Sequence, residues 1–184
     1  DKLAESQFNN IELPRENVSI ESDGMKKLLT AFNTQRCMNP SVSLGLAEGA
    51  YEEAVKYVRE REIFGRPTGT MQGIRWKLAD MARKIEVSCS ILYRAAASAN
   101  PFPDPYLAAI AKMEVNEMAI HVTSESLQLH GGYGFTNEYL VSHLFRGSRY
   151  GTIGGGTTES LKDLVGRRIY DRFPEDGFLS FGLM

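Results

Sequence analysis

Bare main-chain amides and one guanidinium are the groups in this chain best suited to hold an anion. The amides come from two glycine-rich turns, Leu127-Gln128-Leu129-His130-Gly131-Gly132-Tyr133-Gly134 and Ile153-Gly154-Gly155-Gly156-Thr157-Thr158-Glu159. Each lies beside a helical pattern, and the second opens into the periodic run Leu161, Leu164, Val165, Arg168. Free amides at a helix start, with no side chain in the way, suit a pyrophosphate. Each turn could equally be no more than a helix stop, because a short glycine motif is weak by itself. Arg61, Phe64 and Gly65 stand where a long helical pattern ends. The helix dipole alone favours an arginine there. Its planar donors would also fit a phosphate, and Phe64 would offer an aromatic wall to a ring. Gln128 is either solvated or reads a nucleotide edge with its two-sided amide. Thr157 is a candidate N-cap, with Glu159 or Ser160 completing the first turn, and a capping hydroxyl can also meet a cofactor.

These groups need a scaffold, and the periodicity supplies one. Residues 7–20 look extended, with Phe8, Ile11, Leu13, Val18 and Ile20 spaced for a strand and Pro14 interrupting any helix. From Met25 the spacing turns helical. Leu28, Leu29 and Phe32 make a first face, and Leu44, Ala47, Tyr51, Ala54, Val55 and Val58 continue it, with Pro40 predicting a kink or offset near Asn39. The cluster Phe64-Gly65-Arg66-Pro67 breaks this element. A second helix is predicted from about Thr70 to Ala99, with Ile74, Leu78, Met81, Ile85, Ile91 or Leu92, and Ala95 as its stripe. After a proline-rich linker, a third starts near Tyr106 with Ala111, Val115, Met118, Val122 and Leu129 on one face. A short piece over 137–145 follows, then a last helix to about Phe173 and an aperiodic tail, 174–184. The cheapest burial for such stripes is an all-α, antiparallel four-helix-type bundle. Without alternating strands and helices, a doubly wound sheet is not expected.

Composition narrows the function classes. The 184 residues are 42% hydrophobic and 24% charged, with net charge -2 and scattered basic residues. That balance argues against a general nucleic-acid binder. No apolar run approaches the ~20 residues that cross a bilayer, so no membrane insertion is expected. Cys37 and Cys89 are too few and too far apart for a disulfide scaffold, and His121, His130 and His143 lack metal-ligand spacing. A reducing, cytoplasmic setting without a metal is the expectation. Asp1 to Asn10 is polar and lacks an initiator Met, which reads as a fragment or the tail of a preceding domain.

In this order the pieces resemble the C-terminal helical domain of the acyl-CoA dehydrogenase family. The resemblance runs from Leu13-Pro14-Arg15-Glu16-Asn17-Val18 to Ile169. It rests on Arg61-Glu62-Ile63-Phe64-Gly65-Arg66-Pro67, Gln72, Leu78-Ala79-Asp80-Met81, Ala111-Lys112, the stretch Gln128 to Gly134, and Gly156-Thr157-Thr158-Glu159. It implies a flavoenzyme that binds FAD, acts on the CH-CH group of an acyl-CoA thioester, passes electrons to an acceptor such as an electron-transfer flavoprotein, and assembles as a homo-tetramer. Residues 1–22 would be the remnant of a middle β-domain, 23–173 the helical domain and 174–184 a tail. By the same resemblance Arg61, Phe64 and Gln72 contact FAD within a subunit. Gln128, Leu129, His130, Gly131 and Gly132 would reach the adenosine and pyrophosphate of a neighbour's FAD. Thr157, Thr158 and Glu159 would also line FAD, with Arg36 and Gly156 near the acyl-CoA.

One departure matters. Dehydrogenation needs a positioned base for the α-proton. Most relatives place a glutamate just before the Gly-Thr of the second motif, where this chain has Gly155; a second lineage places it before the arginine matching Arg36, where this chain has Gln35. Neither can act as a base, so the catalytic group is open. Either a residue elsewhere supplies the base, or the reaction needs none, as in a desulfinase-like branch acting on a sulfinate-bearing acyl-CoA. The third possibility is a non-catalytic subunit that offers an FAD-binding and oligomerisation surface. A smaller departure is Arg146-Gly147-Ser148-Arg149, where many relatives carry Asp after the first arginine.

Overall fold

The computed structural model describes residues 4–171. Its helices are α1 (Gly24–Glu60), α2 (Gln72–Ala97), α3 (Pro105–His130), α4 (Gly132–Phe135), α5 (Leu140–Ser148) and α6 (Thr158–Asp171). Between α1 and α2, strands β1 (Glu62–Ile63) and β2 (Arg66–Pro67) pair antiparallel, Glu62 opposite Pro67 and Ile63 opposite Arg66. The helical bundle read from the periodicity is the one observed.

α3 is the axis of the fold and packs against α1, α2, α4, α5 and α6. It starts cleanly: the Asp104 carboxylate accepts from the Tyr106 and Leu107 amides at 2.9 Å each, and Pro105 sits in the first turn. A capping carboxylate followed by proline satisfies donors that would otherwise have no partner. The α2 stripe buries Met81, Ile85, Leu92 and Ala95 against α1 and α3, with Leu78 and Ile91 partly covered. On α3 the expected Ala111, Val115, Met118 and Val122 are buried. So are Lys112, Asn116, Thr123, Ser126 and His130, because neighbours surround this helix.

Several expectations need correction. The extended stretch 7–20 pairs with no strand among the described residues; it is exposed and holds a 3-10 turn at Arg15–Asn17. Alternation favours a strand only where an edge is available for pairing, and this chain offers none there. Pro40, where a kink or offset is expected, lies inside α1, which continues through it. Pro40 removes one helical hydrogen bond, yet the face around it, Asn33, Arg36, Cys37, Ser43, Leu44 and Ala47, is buried and carries the helix across. Leu28 and Leu29 are exposed, and burial on α1 begins only at Asn33. The short piece predicted over 137–145 lies at 140–148, and α4 adds a turn after Gly131. The tail 174–184 and the last two residues expected of α6 lie outside the described residues. No described helix is long and apolar enough to cross a membrane.

Candidate functional site

The first turn opens a cleft. α3 ends on Gly131, whose φ of 61° terminates the helix, and the chain turns into α4. Tyr57, Arg61, Ile63, Lys77 and the run Gln128 to Tyr133 line a cleft of about 610 Å³. Arg61 reaches it because it follows the last residue of α1; its amide donates to the Tyr57 carbonyl at 2.8 Å. Lys77 pairs with Glu125 at the same cleft. His130 is buried and stacks on Tyr57 with ring centroids 4.3 Å apart, while Tyr139 meets both rings edge-on. His130 Nδ1 lies 2.8 Å from the Ser126 carbonyl. A carbonyl only accepts, so Nδ1 carries the proton and the ring is a fixed aromatic wall. A Cβ built on Gly131 or Gly132 would meet nothing within 4 Å, so the main chain there lies open to a ligand. The Gly131 amide is already bonded to the Gln128 carbonyl at 3.1 Å, so what the turn offers is an aromatic wall, an uncovered main chain and a guanidinium, a set that suits the adenosine diphosphate portion of a dinucleotide.

The second turn stands on a buried polar network. Lys112 is 1% exposed, and its Nζ donates to the Gly151 carbonyl at 3.1 Å and the Gly156 carbonyl at 2.8 Å. Burial first, then the nearby Arg36 charge, pull its pKa down to about 8. Asn116 accepts from Ser43 Oγ at 2.5 Å and donates to Asn39 Oδ1 at 3.0 Å. Arg36 donates from Nη1 to Asn33 Oδ1 at 2.9 Å, while its Nε is buried without a partner among the described residues. Burial also lowers the Arg36 pKa. At the outer edge, Gly155 has φ 71°, and a Cβ on it would fall 2.7 Å from Gln35 Oε1 and 2.9 Å from Gln35 Nε2. That Oε1 is buried with no hydrogen-bond partner among the described residues. The two positions expected to carry a base are therefore neighbours in space, and an amide fills the gap between them.

The predicted residues thus divide. Arg61, Gln128, Leu129, His130, Gly131 and Gly132 share the first cleft. Gln35, Arg36, Gly155 and Gly156 gather at the second turn. Thr157 caps α6, accepting from the Ser160 amide at 3.3 Å, and Thr158 is buried behind it. Main-chain and Thr157 hydrogen bonds hold the exposed Glu159 carboxyl below its ordinary range. Phe64 stands 91% exposed at the tip of the hairpin, outside the cleft lining, and Gln72 is exposed at the start of α2. Tyr57, Tyr139 and Lys77 were not expected at the site. Tyr57 and Lys77 carry only a helical offset from Arg61 and Gln72, too common to single them out, and Tyr139, just ahead of α5, carries no local signal.

The fold is thus an α-helical bundle with an open cleft at one end of its central helix and a glycine turn pinned over a buried ammonium. The chain belongs to the acyl-CoA dehydrogenase family: residues 22–170 match the model of the acyl-CoA dehydrogenase C-terminal domain. It is 38% identical over 154 residues to a 3-sulfinopropanoyl-CoA desulfinase of Paraburkholderia xenovorans, covering 81% of this chain and 40% of that protein. It is 36% identical over 156 residues to a short-chain-specific acyl-CoA dehydrogenase of Megasphaera elsdenii, covering 83% of this chain and 40% of that protein. The solved butyryl-CoA dehydrogenase of Megasphaera elsdenii superposes with a TM-score of 0.84 at 34% identity, over 89% of this chain and 43% of that one. The chain spans about two-fifths of the length of these relatives.

Proposed function

We propose that this chain is the C-terminal part of an FAD-dependent enzyme acting on an acyl-CoA thioester, and that its reaction takes no proton through a carboxylate at either Gln35 or Gly155. The observation that carries the reading is the contact between these two positions: a Cβ at 155 would stand 2.7 Å from the Gln35 amide. An amide does not accept a proton near neutral pH. The site therefore suits an acyl group that already carries a leaving group. A 3-sulfinoacyl-CoA fits: the carbon–sulfur bond breaks, a proton goes to carbon, a water oxygen goes to sulfur, and sulfite departs. Gln35 would hydrogen-bond the sulfinate, with Arg36 nearby, and Gly156 would lie along the acyl-CoA. The likeness to a 3-sulfinopropanoyl-CoA desulfinase supports the same reading.

Arg61 would contact the FAD pyrophosphate, and Gln128 to Gly132 would serve the adenosine side of an FAD in a neighbouring subunit of a tetramer. No residue of the second turn lines the cleft at the first, which favours that arrangement. Thr157, Thr158 and Glu159 would face the FAD of their own subunit, together with Gln72 and Phe64. When bound, FAD supplies an electron sink beside the acyl chain. A second reading, dehydrogenation with a base from a segment outside this chain and an electron-transfer flavoprotein as acceptor, is favoured by the short-chain dehydrogenase relative. The test uses the complete polypeptide of which this chain would be the C-terminal part. We expect a yellow preparation that releases sulfite from 3-sulfinopropanoyl-CoA without reducing an acceptor on butyryl-CoA. Acceptor reduction without sulfite would replace this reading with the second. A colourless protein that FAD cannot reconstitute would leave only an oligomerisation surface.

A further inference from the structure

Two buried cations stand behind the second turn without a carboxylate. Lys112 is the largest fully buried side chain among the described residues, and Arg36 is 9% exposed. Neither enters any ion pair among the described residues. Lys112 is held by two carbonyls, one at each end of the 151–156 segment. Arg36 is held by Asn33 on one nitrogen and keeps an unpartnered Nε. Removing two like charges from water without an anion is costly, and such a cost is retained where the charge has a task. The segment in front of them offers complementary groups. The Gly155 and Gly156 amides make no main-chain hydrogen bond among those between described residues. Gln35 presents an amide with a free, buried oxygen beside them.

We propose that Lys112 is a positioning residue of this site: clamped between the Gly151 and Gly156 carbonyls, it fixes the turn and, with Arg36, sets a positive field that selects an acyl thioester bearing a second negative charge. The inference rests on the acyl-CoA reading above. The Ile153 and Gly154 amides donate to the Tyr150 carbonyl, but Gly155 and Gly156 have no such main-chain bond among the described residues, and one ammonium bonded at both ends of the segment supplies that restraint. The same ammonium cannot be neutralised by the carbonyls, so its charge is felt at the mouth of the turn across a low-dielectric layer.

The test compares succinyl-CoA with butyryl-CoA, two thioesters of similar length with and without a terminal carboxylate. Binding to the complete flavoprotein is followed by calorimetry at constant ionic strength. We expect succinyl-CoA to bind at least about tenfold more tightly. Lys112→Arg should keep most of that preference and Lys112→Met should remove it. Equal affinity of the unmodified protein for the two thioesters, or a preference that survives Lys112→Met, would overturn the inference while leaving the acyl-CoA reading intact. Failure to bind either thioester would overturn both. Should Lys112→Met not fold, the unmodified protein decides by pH. The preference should fade as pH rises through about 8, the Lys112 value. Arg36 on α1 carries a guanidinium, which does not titrate in this range, burial pushes the Cys37 thiol up, and the 151–156 segment carries no titratable side chain. A preference flat from pH 7 to 9 would refute the role.

Discussion

A Cβ placed on Gly131 or Gly132 meets nothing within 4 Å, whereas one placed on Gly151 falls 2.0 Å from Asn116 Oδ1 and one on Gly154 falls 2.3 Å from Tyr150 Cζ. Both turns are runs of glycine beside a helix, yet their glycines answer different demands. At Gly131 and Gly132 the space is vacant and faces a cleft walled by Tyr57 and His130, so glycine leaves room for something outside the chain, although Gly134 just beyond is crowded by His130 and Leu127. At Gly151, Gly154 and Gly155 the space is already taken by Asn116, Ser43, Tyr150 and Gln35, so glycine leaves room for the protein itself, and only Gly156 stands free. The contrast separates a binding surface from a packed polar core that shapes a surface.

The largest effect should come from filling the crowded side. Gly151→Ala drives a methyl into Asn116 and Ser43, whose short hydrogen bond joins α3 to α1. Overpacking of this kind costs about 3 kcal/mol, at the upper end of the usual range because the neighbours are buried and bonded. Gly132→Ala should change stability by less than about 0.5 kcal/mol, the figure for a site without neighbours, while weakening FAD binding. Urea unfolding of the two variants measures the difference directly, and equal costs would dissolve the contrast.

Next comes the charge behind the second turn. Lys112 has a folded-state pKa of about 8 against an ordinary 10.5. Below pH 8 both states carry the proton, and the burial penalty is fully present. Between about 8 and 10.5 the unfolded chain binds more protons than the folded one, so this group makes stability rise with pH. Relative to Lys112→Met, the unmodified protein should gain on the order of 2 kcal/mol across that window. Comparing against the variant cancels the opposing contribution of Cys37, whose thiol burial pushes up. A constant difference between the two proteins from pH 7.5 to 10 would mean that the ammonium is not desolvated.

Much of this was readable beforehand, and the exceptions have a common cause. The α2 stripe and the apolar face of α3 followed from spacing, because each depends on neighbours along one helix; the grouping of Arg61 with Gln128 to Gly132 did not, since the resemblance put Arg61 on FAD within a subunit and that run on a neighbour's. Lys112, Asn116, Thr123 and Ser126 did not, because period arguments assign polar residues to solvent, and α3 has almost no solvent side. A sequence sign existed in the small residues Ala108, Ala109 and Ala111 just ahead of Lys112, which let other helices close over it. The strand expected over 7–20 shows the reverse error: alternation was present and a partner was not. The contact of Gln35 with Gly155 joins positions 120 residues apart, and nothing local announces it.

That contact gives a sharper test of the proposed reaction. Gly155→Glu alone should cost about 2 kcal/mol, combining the strain of a side chain at φ 71° with displacement of Gln35. Adding Gln35→Ala should recover about half, since it relieves the collision and leaves the backbone strain. Only the double variant should gain oxidation of butyryl-CoA with an acceptor, because only there does the carboxylate have room. Full activity in the single variant would show that Gln35 yields freely and that the site tolerates a base without rearrangement.

The smallest expected effect lies at the open turn. Arg61 is exposed and stands at the cleft rim with its backbone already fixed by Tyr57 and Thr68. Its removal should therefore barely touch folding. Arg61→Ala should weaken FAD binding about tenfold, which is about 1.4 kcal/mol, and Arg61→Lys should recover only part of it, because a point charge does not reproduce a planar pair of donors. The loss should shrink as salt rises, as it does for solvent-reached ion pairs. A loss of stability with unchanged FAD affinity would assign Arg61 to the end of α1 rather than to a ligand, and the open turn would then be packing like the closed one.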